Sequence, residues 1–180
     1  MAEATIEFAK VTDNVVVIKI QGRANFQNSM NLQNITHRLQ EENKSIRFII
    51  DLEHCISLDS TFMGTLAGIS VEQNKALGAY LTVVNTQEHT HYLLTNLGLS
   101  YILDIREEEE VQAKEGDFRK AESMEPAPQF EQIVHMINAH EQLIDLDSKN
   151  EVRFQSVLKY LKESLERERK KQDQPPSTNT

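Results

Sequence analysis

Leu58-Asp59-Ser60-Thr61 sets one acid and two hydroxyls side by side, directly before an apolar run that begins Phe62-Met63-Gly64. Short polar residues in that place start helices, and a helix start carries unpaired N–H groups and the positive end of the helix dipole. Such an end favours an anion, so a hydroxyl there can accept a phosphate without melting the helix, and Asp59 beside it adds further negative charge. The plainer reading is that Asp59 or Ser60 simply caps the helix. Elsewhere the chemistry-bearing residues are poorly arranged. His54 and Cys55 are sequence neighbours with no acid to orient them as base and nucleophile. His89 and His91 point to different faces of a predicted helix, and His135 and His140, five apart, lack the spacing of a metal site. Glu107 to Glu110 reads as a solvated run, since calcium needs an organised oxygen cage. No glycine-rich phosphate loop is present. No metal, cofactor or catalytic group is expected.

The elements that must position Ser60 follow from periodicity. Thr5 to Val11 and Asn14 to Gln21 read as a hairpin joined at Asp13-Asn14 and closed by Gly22. Arg23, Ala24, Asn25 and Phe26 form a loop. A helix follows over Ser29 to Glu42, capped by Asn28 or Ser29, with Met30, Leu32, Ile35 and Leu39 at helical spacing. Ile46 to Leu52 is an apolar strand buried on both faces. A loop holding Cys55 leads into a helix over Ser60 to Leu77, stopped by Gly78, whose Gly64 and Gly68 suggest close packing on the sheet. Ala79 to Val84 is a strand, Gln87 to Leu97 a helix capped by Asn85 or Thr86, and Leu99 to Leu103 a last short strand. Strands alternating with helices indicate an α/β domain.

From Asp104 to Glu125 the chain holds nine acidic and four basic residues and few apolar ones, the composition of a linker. Beyond Pro128, two amphipathic stripes read as a helical hairpin. One runs through Phe130, Ile133, Val134, Ile137 and Ile144, the other through Phe154, Val157, Leu158, Leu161 and Leu165. Ser148 and Glu151 suggest a capping box between them. The expected organisation is an α/β domain over 1–104, an acidic linker over 105–128, a hairpin over 129–172 and a disordered tail over 173–180.

Composition narrows the function. The net charge of −9, without a concentrated basic patch, argues against nucleic acid. No apolar run approaches the roughly 20 residues of a membrane span, and the N-terminus lacks a secretion signal. A single cysteine fits a reducing cytoplasm.

The order hairpin, helix, strand, Asp-Ser helix, strand, helix resembles the anti-sigma factor antagonist family, the STAS domain fold, over about Thr5 to Leu103. The residues carrying the resemblance are Asp51-Leu52 closing a strand, then Leu58-Asp59-Ser60-Thr61-Phe62-Met63-Gly64-Thr65-Leu66. It implies a mixed sheet with helices and no catalysis. It also implies that Ser60 is phosphorylated by an anti-sigma factor serine/threonine kinase, with Thr61 as alternate acceptor. A PP2C-type phosphatase reverses the modification. Asp59, Ser60, Thr61, Phe62 and Met63 would then meet the partner, with Arg23 and Asn25 on a loop close by. Phe62 departs from the family pattern, which has a small glycine there. The alternative is a non-catalytic scaffold of the same fold that self-associates through the C-terminal hairpin, with Ser60 only a cap.

Overall fold

The computed structural model describes residues 4–109, 113–121 and 126–172. The chain opens with the antiparallel pair β1 (Thr5–Thr12) and β2 (Val15–Ala24), turning at Asp13-Asn14. Helix α1 (Phe26–Glu42) leads to β3 (Arg47–Asp51), which pairs in parallel with the first half of β2. β4 (Cys55–Leu58) pairs in parallel with the far end of β2, beyond Gly22. Gly22 takes φ 84, a left-handed conformation that suits glycine, and its N–H donates to the carbonyl of His54 at 2.9 Å. Helix α2 (Ser60–Leu77), β5 (Leu81–Val84), α3 (Glu88–Asn96) and β6 (Leu103–Arg106) complete the α/β alternation. A two-residue strand, β7 (Arg119–Lys120), adds to β1, giving the order β6-β5-β3-β2-β1-β7 with β4 attached to β2. Helices α4 (Gln129–Leu146) and α5 (Lys149–Gln172) form the C-terminal hairpin. The architecture is the expected one: a mixed sheet with helices, followed by two helices packed on each other.

Several local features differ from what the sequence suggests. α1 begins at Phe26, not Ser29, because Asn25 caps it in a reciprocal box with Asn28. The Cys55 loop is the strand β4, too short and mixed for a clear alternation. Leu99–Tyr101 is a single 3-10 turn, and the last strand of the α/β alternation starts at Leu103 instead of ending there. Neither Asn85 nor Thr86 caps α3, whose N-cap is Gln87 without a side-chain bond. Asn85 instead adopts φ 57, donates to Asp51 and accepts from the N–H of Glu109. At the start of α5, Asp147 accepts from the N–H of Lys149 at 2.9 Å, so the carboxylate upstream of Ser148 meets the helix end. Within 105–128, Lys19 donates to Glu115 at 2.7 Å and lies over the Phe118 ring, and the N–H of Ala121 donates to the carbonyl of Ile6. The tail 173–180 lies outside the described residues.

α2 is the buried axis of the molecule. Phe62, Leu66 and Ile69 join Ile18, Ile50, Phe48 and Leu81 in the core. Two polar side chains on the same helix fasten it to the sheet. Gln73 accepts from the N–H of Phe48 at 2.8 Å and donates to the carbonyls of Ala79 and Tyr80. Ser70 donates to the carbonyl of Ile102 and accepts from the N–H of Leu81. A helix in contact with a sheet alone buries one stripe. α2 buries ten of its residues, including Thr61, Met63, Gly64, Thr65 and Ala67, because α4 covers a second face.

Candidate phosphoacceptor site

Asp59 leaves β4 in an extended conformation and caps α2: its Oδ1 accepts from the N–H of Phe62 at 2.7 Å. Its Oδ2 accepts from the N–H of Phe26, the first residue of α1, at 2.8 Å. One carboxylate thus ties the starts of both helices together, and the positive ends of both dipoles face it. Its own N–H donates to the carbonyl of Ala24 at 3.0 Å, so the end of β2 is joined too. Burial pushes the Asp59 carboxyl above the usual carboxylate range, while the N–H groups of Phe62 and Phe26 and the nearby His140 pull it back.

Ser60 is therefore not the cap. It is the first residue of α2, half-buried, with its hydroxyl 2.9 Å from Nε2 of His140 on α4. The other ring nitrogen of His140, Nδ1, lies 2.7 Å from the carbonyl oxygen of Met136. A carbonyl can only accept, so Nδ1 carries a hydrogen toward Met136, and Nε2 is the ring atom that bonds to the Ser60 hydroxyl. His140 itself is 3% exposed and meets the Phe154 ring edge-on.

The remaining residues singled out in the sequence spread around this point. Thr61 is 4% exposed, Phe62 is fully buried in the core and Met63 is 4% exposed. Arg23 is exposed near the end of β2 and Asn25 is half-buried as the cap of α1. Gly64 faces not the sheet, as its spacing with Gly68 suggests, but α4: a Cβ there would stand 2.1 Å from the carbonyl oxygen of Ala139. Gly68, one turn on, has nothing near its missing side chain.

The two histidines of α4 are what the sequence reading passed over. His135 reaches Ser29 of α1 at 2.8 Å and Thr65 of α2 at 3.3 Å through Nε2, and Gln33 through Nδ1 at 3.1 Å. Burial among these neutral groups pushes its pKa down to about 4, so it is uncharged at neutral pH. Spacing tested only for metal ligands misses this role. The usable signal was that both rings fall on the apolar stripe of an amphipathic helix, near Ile133 and Ile137, where a polar group needs a partner.

Other candidates offer no chemistry. Cys55 is 2% exposed and its thiol is pushed up to about 11 by burial, while His54 is exposed. His91 contacts Thr86 at 3.3 Å and His89 is exposed. Glu107, Glu108 and Glu109 line a depression of about 450 Å³ with Lys19, Asp51 and Asn85. Among the described residues no group of histidine, cysteine or acidic side chains could hold a metal ion, and no helix is long and apolar enough to cross a membrane.

Comparison with curated protein sequences finds no match. Among solved structures, the unphosphorylated form of the anti-sigma factor antagonist SpoIIAA is 17% identical, with a TM-score of 0.50 over 62% of this chain and 90% of that one. The phosphorylated form of the Bacillus cell fate determinant SpoIIAA is 17% identical, with a TM-score of 0.46 over 62% and 93%. A Thermotoga maritima structure described as an anti-sigma factor antagonist is 19% identical, with a TM-score of 0.49 over 54% and 83%. At these identities the likeness concerns the fold. The STAS domain model matches residues 8–112, from β1 past β6 and over more than half of the sequence, and stops short of α4 and α5. The α/β part with Asp59 and Ser60 at its central helix start is thus the matched part, and the chain belongs to the STAS domain family.

Proposed function

We propose that this protein is a cytoplasmic anti-sigma factor antagonist, not an enzyme, switched by phosphorylation of Ser60. Residues 1–104 are its STAS unit, 105–128 a connecting segment and 129–172 an added hairpin. The observation that supports this reading best is the division of labour at the start of α2. Asp59 holds the helix end, which leaves the Ser60 hydroxyl free of that duty. A phosphate on Ser60 sits where helix N–H groups and the dipole favour an anion, so α2 tolerates it. It also places about −1.5 to −2 charges beside Asp59, and a partner surface that has to close over this point is opposed by repulsion and desolvation. Thr61 is 4% exposed, which favours Ser60 over it as the acceptor. The partner is an anti-sigma factor serine/threonine kinase, and a PP2C-type phosphatase resets the site.

The test is a pull-down from the native cell with wild type, Ser60→Ala and Ser60→Asp, with ATP-dependent modification mapped by mass spectrometry. A kinase retained by wild type and Ser60→Ala but lost with Ser60→Asp, with phosphate on Ser60, is the expected result. Phosphate found only elsewhere, or ATP-dependent release that persists in Ser60→Ala, overturns it.

The second reading, a scaffold that self-associates through the hairpin, draws on α5, where Val152 is 82% and Tyr160 is 63% exposed. Size-exclusion of Val152→Asp and Tyr160→Asp beside wild type separates the two: a fall in apparent mass favours the scaffold.

A further inference from the structure

The family match ends at residue 112, yet the start of α2 is not bare, because α4 lies along it. The contacts fix the direction. Thr65 meets His135, Gly64 meets Ala139 and Ser60 meets His140, so α4 runs antiparallel to α2 with its C-terminal half over the acceptor. We propose that the hairpin α4–α5 is a tethered occupant of the Ser60 face of α2, and that it must leave before a partner protein can reach that hydroxyl. The consequence for signalling rests on the reading of Ser60 as phosphoacceptor; the cover itself does not.

Three features support this. Backbone meets backbone at Gly64 and Ala139, leaving no room for even a methyl group, so no second protein fits between the helices. The Ser60 hydroxyl is already engaged by the hairpin, bonded at 2.9 Å to Nε2 of His140. A phosphate on that oxygen removes this hydroxyl–imidazole bond and adds a bulky dianion at the helix contact. The hairpin also has an apolar cluster of its own in Ile133, Ile137 and Leu161, apart from the main core. Where it meets α1 and α2, His135 and His140 of α4 bond to Ser29, Ser60 and Thr65, so part of the interface is polar, while Leu143 reaches the main core. At the joint, Asn150 donates to the carbonyl of Leu97 at 2.9 Å and so holds the occupant close by.

Accessibility of position 60 can be read without knowing the kinase. In the full chain carrying Ser60→Cys, alkylation by iodoacetamide is followed by intact mass, with buried Cys55 as a silent background. Two wedges then open the contact from opposite sides. Gly64→Ala adds a methyl against Ala139 while making α2 intrinsically the better helix, and Ala139→Glu adds bulk and charge on α4. Either wedge is expected to raise the labelling rate about tenfold or more, the change that follows when a site open in a tenth of molecules or fewer becomes open in all. Unchanged labelling in both, or labelling of the parent as fast as in the urea-unfolded chain, overturns the proposal. If the wedges expose position 60 but Ser60 never gains phosphate in the cell, the switch fails and the cover stands.

Discussion

Asp59→Ala is the substitution whose cost the geometry defines best. The carboxylate serves two helix starts from two oxygens, Phe62 at 2.7 Å and Phe26 at 2.8 Å. Loss of an N-cap costs about 1 kcal/mol, and a hydrogen bond to a charged group contributes about 1.5–3 kcal/mol. The cost of burying the carboxylate, visible in its raised pKa, offsets part of that sum. Asp59→Ala should therefore destabilise by about 2 kcal/mol, and Asp59→Asn, which keeps one amide oxygen for one helix, by about 1 kcal/mol. For a chain of 180 residues the alanine change corresponds to a fall in Tm of about 4–8 °C. The control is Ser60→Ala, which removes a single contact with His140 and should cost about 0.5–1.5 kcal/mol. Urea unfolding at neutral pH ranks the three. If Ser60→Ala proves the costlier of the two alanine changes, or Asp59→Ala lies within about 0.5 kcal/mol of wild type, the assignment of cap and free hydroxyl is reversed.

Two further outcomes follow from the way α4 is held. His135 titrates near 6.5 when free and at about 4 when docked, so the docked form binds the proton more weakly. Its stabilising contribution is complete above about pH 6.5, falls as the pH drops, and is gone at about pH 4. That interval bounds the effect at about 3 kcal/mol, and partial solvent access reduces it to about 1–2 kcal/mol. Protection factors of the α4 amides, exchange referred to the intrinsic rate at each pH, should fall between pH 6.5 and 4.5 in wild type and less so in His135→Gln, a comparison in which the opposite contribution of Asp59 cancels; equal pH dependence in both refutes it. Asn150 is 1% exposed and its amide donates to the carbonyls of Leu97 and Leu143. Asn150→Ala leaves both without that donor and should cost about 2–3 kcal/mol, with faster exchange in the first turn of α5. Unfolding within about 0.5 kcal/mol of wild type counts against this joint.

What could be read from the sequence was whatever depends on local pattern. The extent of α2, the αL cap at Gly78 and the apolar stripes of α4 and α5 all follow from spacing and from residues with one strong preference. Gln73 lies on the same side of α2 as Phe62, Leu66 and Ile69, and its three bonds to backbone groups explain why an amide belongs there. The misses are tertiary. β4 is a strand because the bend at Gly22 lets the end of β2 accept a partner, and nothing in Cys55-Ile56-Ser57-Leu58 shows that. β7 likewise exists because the open edge of β1 takes it up. At the site, Asp59 was visible as a cap for α2 but not as the joint between α1 and α2. That second bond comes from a residue far away in sequence.

Phe62 and Gly64 lie on different faces of α2 and meet different neighbours. Position 62 points into the core, where an aromatic ring sits fully buried with Leu66 and Ile69, so the change from a small residue is a matter of filling the sheet side of α2. Positions 60 and 64 are one turn apart and share the other face, the one that α4 approaches. There no side chain fits at 64, and at 60 a hydroxyl bonds to His140. A bulky residue is therefore tolerated on one side of this helix start and excluded on the other, and the excluded side is the one that carries the hydroxyl. In this chain the space beside Gly64 is taken by Ala139 of the C-terminal hairpin, so substitutions there report on docking of α4.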